Sequence, residues 1–78
     1  MGEDVVPVAV IGAGGAGAVV LQALRQIGAA TVVGVADRDP AVAAEAGQAY
    51  GVVSYTDNRS LLAEARPRVV FLCVPPAA

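Results

Sequence analysis

Val8-Ala9-Val10-Ile11-Gly12-Ala13-Gly14-Gly15-Ala16-Gly17 is the stretch from which the rest of the chain is read. Its first four residues, with Pro7 ahead of them, are apolar without interruption and rich in β-branched side chains. That pattern marks a strand buried on both faces, as in a parallel sheet. The glycines end it, and from Ala16 the period changes. Gly17, Val20, Leu21, Leu24 and Ile27 fall on one helical face, and Gln22, Arg25 and Gln26 on the other. Gly28 stands where a helix stop is expected.

The same alternation continues outward. Residues 31–36 form a second continuous apolar strand, closed by Asp37-Arg38-Asp39-Pro40. Asp39 is a good N-cap and Pro40 a good first helical residue, so an Ala-rich helix is predicted from about residue 40 to 50, stopping near Gly51. Residues 52–55 read as a short third strand. Asp57 then caps a third helix carrying Leu61, Leu62 and Ala65, which Pro67 terminates. Residues 69–74 read as a fourth buried strand, closed by Pro75-Pro76. Strand and helix alternating in this way give an α/β fold with a parallel sheet. Right-handed crossovers then order the four strands 3-2-1-4, with three helices between them: a partial Rossmann, or doubly wound, fold.

Composition bounds what such a sheet could do. At 78 residues there is room for one domain, and of the 44 apolar residues 32 are Ala or Val, so the core is assembled from small side chains. A domain of this size buries only about 60 to 65% of its unfolded surface, which leaves its stability marginal unless something covers its apolar edges. The sequence holds no His, Lys or Trp, and its five basic residues are all Arg. A His general base, a Schiff-base lysine, a phosphate-loop lysine and a His-containing zinc site are therefore excluded. The net charge of −2, with no basic cluster, argues against nucleic acid and anionic membrane surfaces as partners. Cys73 is the single cysteine, compatible with a reducing, cytoplasmic setting. Residues 5–24 are long and apolar enough to span a bilayer, but they contain Pro7 and four glycines, and the residues before them are acidic where a secretory signal is positive. No membrane segment is expected.

Gly12-Ala13-Gly14-Gly15-Ala16-Gly17 fits G-x-G-x-x-G, and its position counts for more than its letters. It follows a buried strand, opens a helix, and precedes by twenty residues an acid, Asp37, at the end of the second strand. Gly12 allows the tight turn, Gly14 lets the main chain approach a pyrophosphate, and Gly17 lets the helix pack closely on the strand. The helix start offers unpaired N–H groups and a partial positive charge to phosphate, so no lysine is required. Asp37 is placed to accept hydrogen bonds from the adenosine ribose hydroxyls. Its carboxylate repels a 2′-phosphate and favours NAD, while Arg38 beside it could pair with that phosphate and admit NADP. The alternative for the loop is a glycine-rich turn with a surface acid and no ligand.

Four segments resemble the N-terminal half-domain of the glucose-fructose oxidoreductase and inositol dehydrogenase (Gfo/Idh/MocA) family: Val8 to Gly17, Val33-Gly-Val-Ala-Asp-Arg-Asp-Pro40, the Tyr55-Thr-Asp turn with Leu61-Leu62, and Val69-Val-Phe-Leu-Cys-Val-Pro-Pro76. The resemblance implies the cofactor-binding portion of an NAD(P)-dependent oxidoreductase acting on a sugar, polyol or related carbonyl compound. It implies too that the strand end at Cys73, Val74 and Pro75 lines the cofactor cleft near the nicotinamide ribose, with Val74 where the family often has Thr. Most of the family carries its catalytic lysine in a Glu-Lys-Pro segment on the next strand, and that segment is not in this sequence. Residues 1–78 are thus expected to be the N-terminal part of a dinucleotide-binding domain, with no catalytic residue of its own and no metal site. The other reading is a non-catalytic NAD(P)-sensing or interaction module. In either case the fourth strand becomes an apolar sheet edge, a place for self-association or for the remainder of a longer protein.

Overall fold

In the computed structural model, which describes residues 5–73, the apolar run before the glycines is strand β1, Val6–Ile11. It is central in a four-stranded parallel sheet, with β2 (Ala30–Ala36) on one side and β4 (Val69–Leu72) on the other. The short β3, Ser54–Tyr55, pairs with β2, so the order is β3-β2-β1-β4 as expected. Helices α1 (Ala16–Leu24), α2 (Pro40–Tyr50) and α3 (Asn58–Ala65) fill the three crossovers.

The crossovers put α1 and α2 on one face and α3 on the other. Val8, Val10 and Val35 pack with Leu21 and Leu24 of α1 on the first face, and Ala9, Ile11 and Ala36 pack with Leu61 of α3 on the second. Leu21 and Leu61 are fully buried, each contributing about 2 kcal/mol by removal from water. Small residues set the spacing. A Cβ at Gly34 would lie 2.6 Å from Leu61 Cδ1, so the glycine lets α3 seat directly on β2. The β1–β2 ladder also carries a register shift between Val8 and Ala9, where β2 holds the extra residue Val33. That bulge is why Val32 and Val35, three residues apart, both serve the same face.

Three sequence expectations are corrected. The first helix ends at Leu24, short of Ile27. Its last turn tightens, with the Gln26 amide donating to Ala23 O and the Ile27 amide to Leu24 O, which rotates Ile27 off the buried face and leaves it 48% exposed. The third strand is two residues long, because the Val52 amide is used to close α2 on Gly47 O and Val53 is exposed. The fourth strand is not buried: Val69, Phe71 and Leu72 are all exposed, since no element covers their outer side among the described residues. Val74, expected in that strand, lies outside the described residues, as does Pro75. No helix of the described residues is long and apolar enough to cross a membrane.

Candidate dinucleotide site

Parallel strands all deliver their carboxyl ends to one edge of the sheet, and there β1 and β2 present the glycine loop and Asp37 side by side. Gly12 leaves β1 with φ of 92°, a backbone angle that a side chain would oppose, and its amide donates to Ala36 O at 2.7 Å. Gly15 caps α1 with φ of 55° and offers no side chain to the helix start. The amides of Gly15 and Ala16 have no hydrogen-bond partner among the described residues, and that of Gly14 lies near the Asp37 carboxylate alone. They form an uncapped, exposed helix start, which is what an anionic group would complement.

The glycines differ in why they are glycines. A Cβ at Gly17 would lie 1.6 Å from Gly12 O, so α1 could not approach the loop with any other residue there. Gly14 has neither an unusual φ nor a clash: the nearest atom to a Cβ at that position is Val42 Cγ1 at 3.6 Å, an ordinary contact. The fold itself makes no demand for glycine at 14. The space it leaves open is on the exposed side of the loop.

Asp37 holds the loop from β2. Its Oδ2 accepts from the Ala13 amide at 2.9 Å and its Oδ1 from the Asp39 amide at 3.0 Å. The Asp39 amide is the main influence holding the Asp37 carboxyl below its ordinary value of 3.8; partial burial works against it, and the Ala13 and Gly14 amides and the Arg38 charge add to it. The group is thus ionised at neutral pH and only half-buried, free to accept further bonds. Cys73 closes the other side: its amide donates to Ile11 O at 2.8 Å, and its Cβ lies 3.6 Å from where a Cβ on Gly17 would be.

Residues 6–78 match the family model GFO_IDH_MocA, described as an oxidoreductase family with an NAD-binding Rossmann fold. The chain belongs to this family. GenD2 from gentamicin A biosynthesis, solved in complex with NAD, superposes with a TM-score of 0.89 over 95% of this chain and 21% of its own, at 28% identity. The WlbA dehydrogenase from Bordetella pertussis, in complex with NADH and UDP-GlcNAcA, gives 0.86 over 91% of this chain and 22% of its own, at 22% identity. Scyllo-inositol dehydrogenase from Lactobacillus casei, with bound NAD(H) and scyllo-inositol, gives 0.82 over 92% and 22%, at 19% identity. The last two share the fold. The chain spans about a fifth of the length of these solved structures. Comparison with curated proteins gives no match.

Within this Gfo/Idh/MocA Rossmann domain, the structure brings together Gly12, Ala13, Gly14, Gly15, Ala16, Gly17, Asp37 and Cys73 of the residues singled out by sequence. Arg38 is exposed next to Asp37 and contributes through its charge. Two neighbours went unnoticed in the sequence. Asp39 was legible as a helix cap, but not as the donor that holds Asp37. Val42 stands beside Gly14, and nothing in its spacing signals that. A hollow of about 240 Å³ lies at the opposite end of the sheet between Arg25, Thr31 and Tyr50, away from the glycine loop. A dinucleotide spread over backbone amides needs a crevice along the strand ends and no enclosed cavity.

Proposed function

We propose that residues 1–78 are the N-terminal, cofactor-binding part of a longer NAD(P)-dependent oxidoreductase acting on a sugar, polyol or related carbonyl compound. The observation that carries the cofactor assignment is Gly14. Glycine stands there without any need from the backbone or the core, and a close-lying pyrophosphate supplies the need. The exposed amides of Gly14, Gly15 and Ala16 donate to its oxygens, aided by the α1 dipole, and Asp37 accepts from the adenosine ribose. Cys73, at the end of β4, lines the cleft towards the nicotinamide ribose. NAD supplies the hydride chemistry when bound; the residues of this chain bind and orient it. NAD is preferred because the ionised Asp37 faces the ribose, and Arg38 gives NADP a weaker foothold. The carbonyl or polyol substrate class is suggested by the inositol and nucleotide-sugar ligands of the neighbouring structures. A cytoplasmic location suits the single free Cys73. The exposed β4 edge supports contact with a second copy or with the remainder of the protein.

Calorimetric titration of NAD(H) and NADP(H) into the chain, beside Asp37→Ala, tests the assignment. NAD binding that weakens about tenfold in the variant is expected, the loss of a charge-assisted hydrogen bond. A folded chain that binds neither dinucleotide overturns it.

A further inference from the structure

Asp37-Arg38-Asp39-Pro40 places two acids two residues apart ahead of a helix, and the structure uses them in series. Asp37 ties the glycine loop through the Ala13 amide and is itself tied by the Asp39 amide. Asp39, extended at φ −84° and ψ 112°, accepts from the Ala41 amide at 3.0 Å and so fixes the start of α2. Two residues on, Val42 of the same helix passes beside Gly14. The connections therefore close on themselves, from loop to Asp37 to Asp39 to α2 and back to the loop.

We propose that Asp39 is a positioning residue for the dinucleotide: its side-chain cap on α2 sets the direction of its own amide, which holds the Asp37 carboxylate ready for the ribose. The inference rests on Asp37 being the ribose acceptor. A carboxylate turns readily about its last torsion. With one oxygen tied to Ala13 alone, Asp37 could swing; with the second tied to Asp39, its remaining lone pairs face outward in one arrangement. Ordering that precedes the ligand is ordering the ligand does not have to supply. The two restraints are of nearly equal length, 2.9 Å from Ala13 and 3.0 Å from Asp39, so each oxygen is held.

A plain helix cap would stabilise α2 without passing through Asp37, and a double-mutant cycle separates the two roles. NAD affinity is measured calorimetrically for Asp39→Ala, Asp39→Gly and Asp39→Asn, each with Asp37 intact and with Asp37→Ala. Asp39→Ala and Asp39→Gly are expected to weaken binding about fivefold, a cap's worth of ordering, while Asp39→Asn, which keeps the cap, stays within about twofold. In the Asp37→Ala background the Asp39 effect is expected to vanish. Asp39→Gly leaves helix stability nearly intact, so it answers the question even where Asp39→Ala does not fold. Unchanged affinity in both variants, or a penalty that persists without Asp37, overturns the proposal. A folded wild-type chain without NAD affinity, or an Asp37→Ala chain that binds as wild type does, instead brings down the ribose assignment and this inference with it.

Discussion

The glycine loop and strand β4 are both made of small or apolar residues at neighbouring positions of the same sheet, yet they are determined in opposite ways. In the loop, each glycine but one is fixed from inside the chain: Gly12 and Gly15 by positive φ, Gly17 by the 1.6 Å approach to Gly12 O. In β4, Val69, Phe71 and Leu72 pair with β1 on one side and, among the described residues, meet no element on the other. Most of the loop's glycines are required by contacts within the chain; the outer side of the edge has no such contacts among the described residues. Gly14 is the one loop position that shares the condition of the edge, a residue whose identity the chain alone does not require.

Breaking the loop from inside should have the largest effect. Gly17→Ala places a Cβ onto Gly12 O, and neither backbone atom can yield without moving β1 or α1. A loss of about 3 kcal/mol or more is expected, enough to abolish the cooperative transition in a domain of this size. A Gly17→Ala variant that melts like the wild type would show that α1 does not pack as described. Gly14→Ala should separate fold from ligand. Its Cβ meets only Val42 at an ordinary distance, so the melting curve is expected to match the wild type while NAD affinity falls about tenfold or more.

Smaller effects sharpen the same contrast. Asp57 caps α3 through the Ser60 amide at 2.8 Å and makes no hydrogen bond to the glycine loop among the described residues. Asp57→Ala should lower Tm by about 5 °C and leave NAD affinity unchanged, where Asp39→Ala changes both. Asp37 and Asp57 both have carboxyl pKa values held below 3.8, each chiefly by a backbone amide. A depressed folded value stabilises above the unfolded one, so this contribution is present in full above about pH 4 and is lost as pH falls through the lowered values. Circular dichroism melts across pH 2 to 6 should therefore fall off only at the acid end, and Asp57→Asn should flatten that fall. At the edge the expected effect is smallest. Leu72→Lys, at a residue 69% exposed, should change stability by no more than about 0.5 kcal/mol while reducing association seen by light scattering. A large loss of stability would mean that the edge is packed within the chain after all.

What the sequence disclosed follows the same division. Strand order, three crossovers, the caps Asp39 and Asp57 and the roles of Gly12 and Gly17 were legible because each rests on local backbone chemistry: fixed φ, a missing Cβ, or a side chain reaching two or three residues along. Burial of β4 was misjudged because a continuous apolar run signals a covered strand only when the covering element is present. Ile27 was misjudged because helical period says nothing about where the last turn tightens. The bulge at Val33 and the hold of Asp39 on Asp37 depend on how two strand ends meet in space, and no spacing along one segment encodes that.

An NMR titration of the isotopically labelled chain with NAD, following backbone amides, tests the account most directly. The loop and the Asp37 turn are predicted to respond together, with the largest shifts at Gly14, Gly15 and Ala16, smaller ones at Ala13 and Asp39, and none at Arg25, Thr31 and Tyr50 around the hollow at the far end of the sheet. Shifts confined to that hollow, or no response from a folded chain at millimolar NAD, would contradict it.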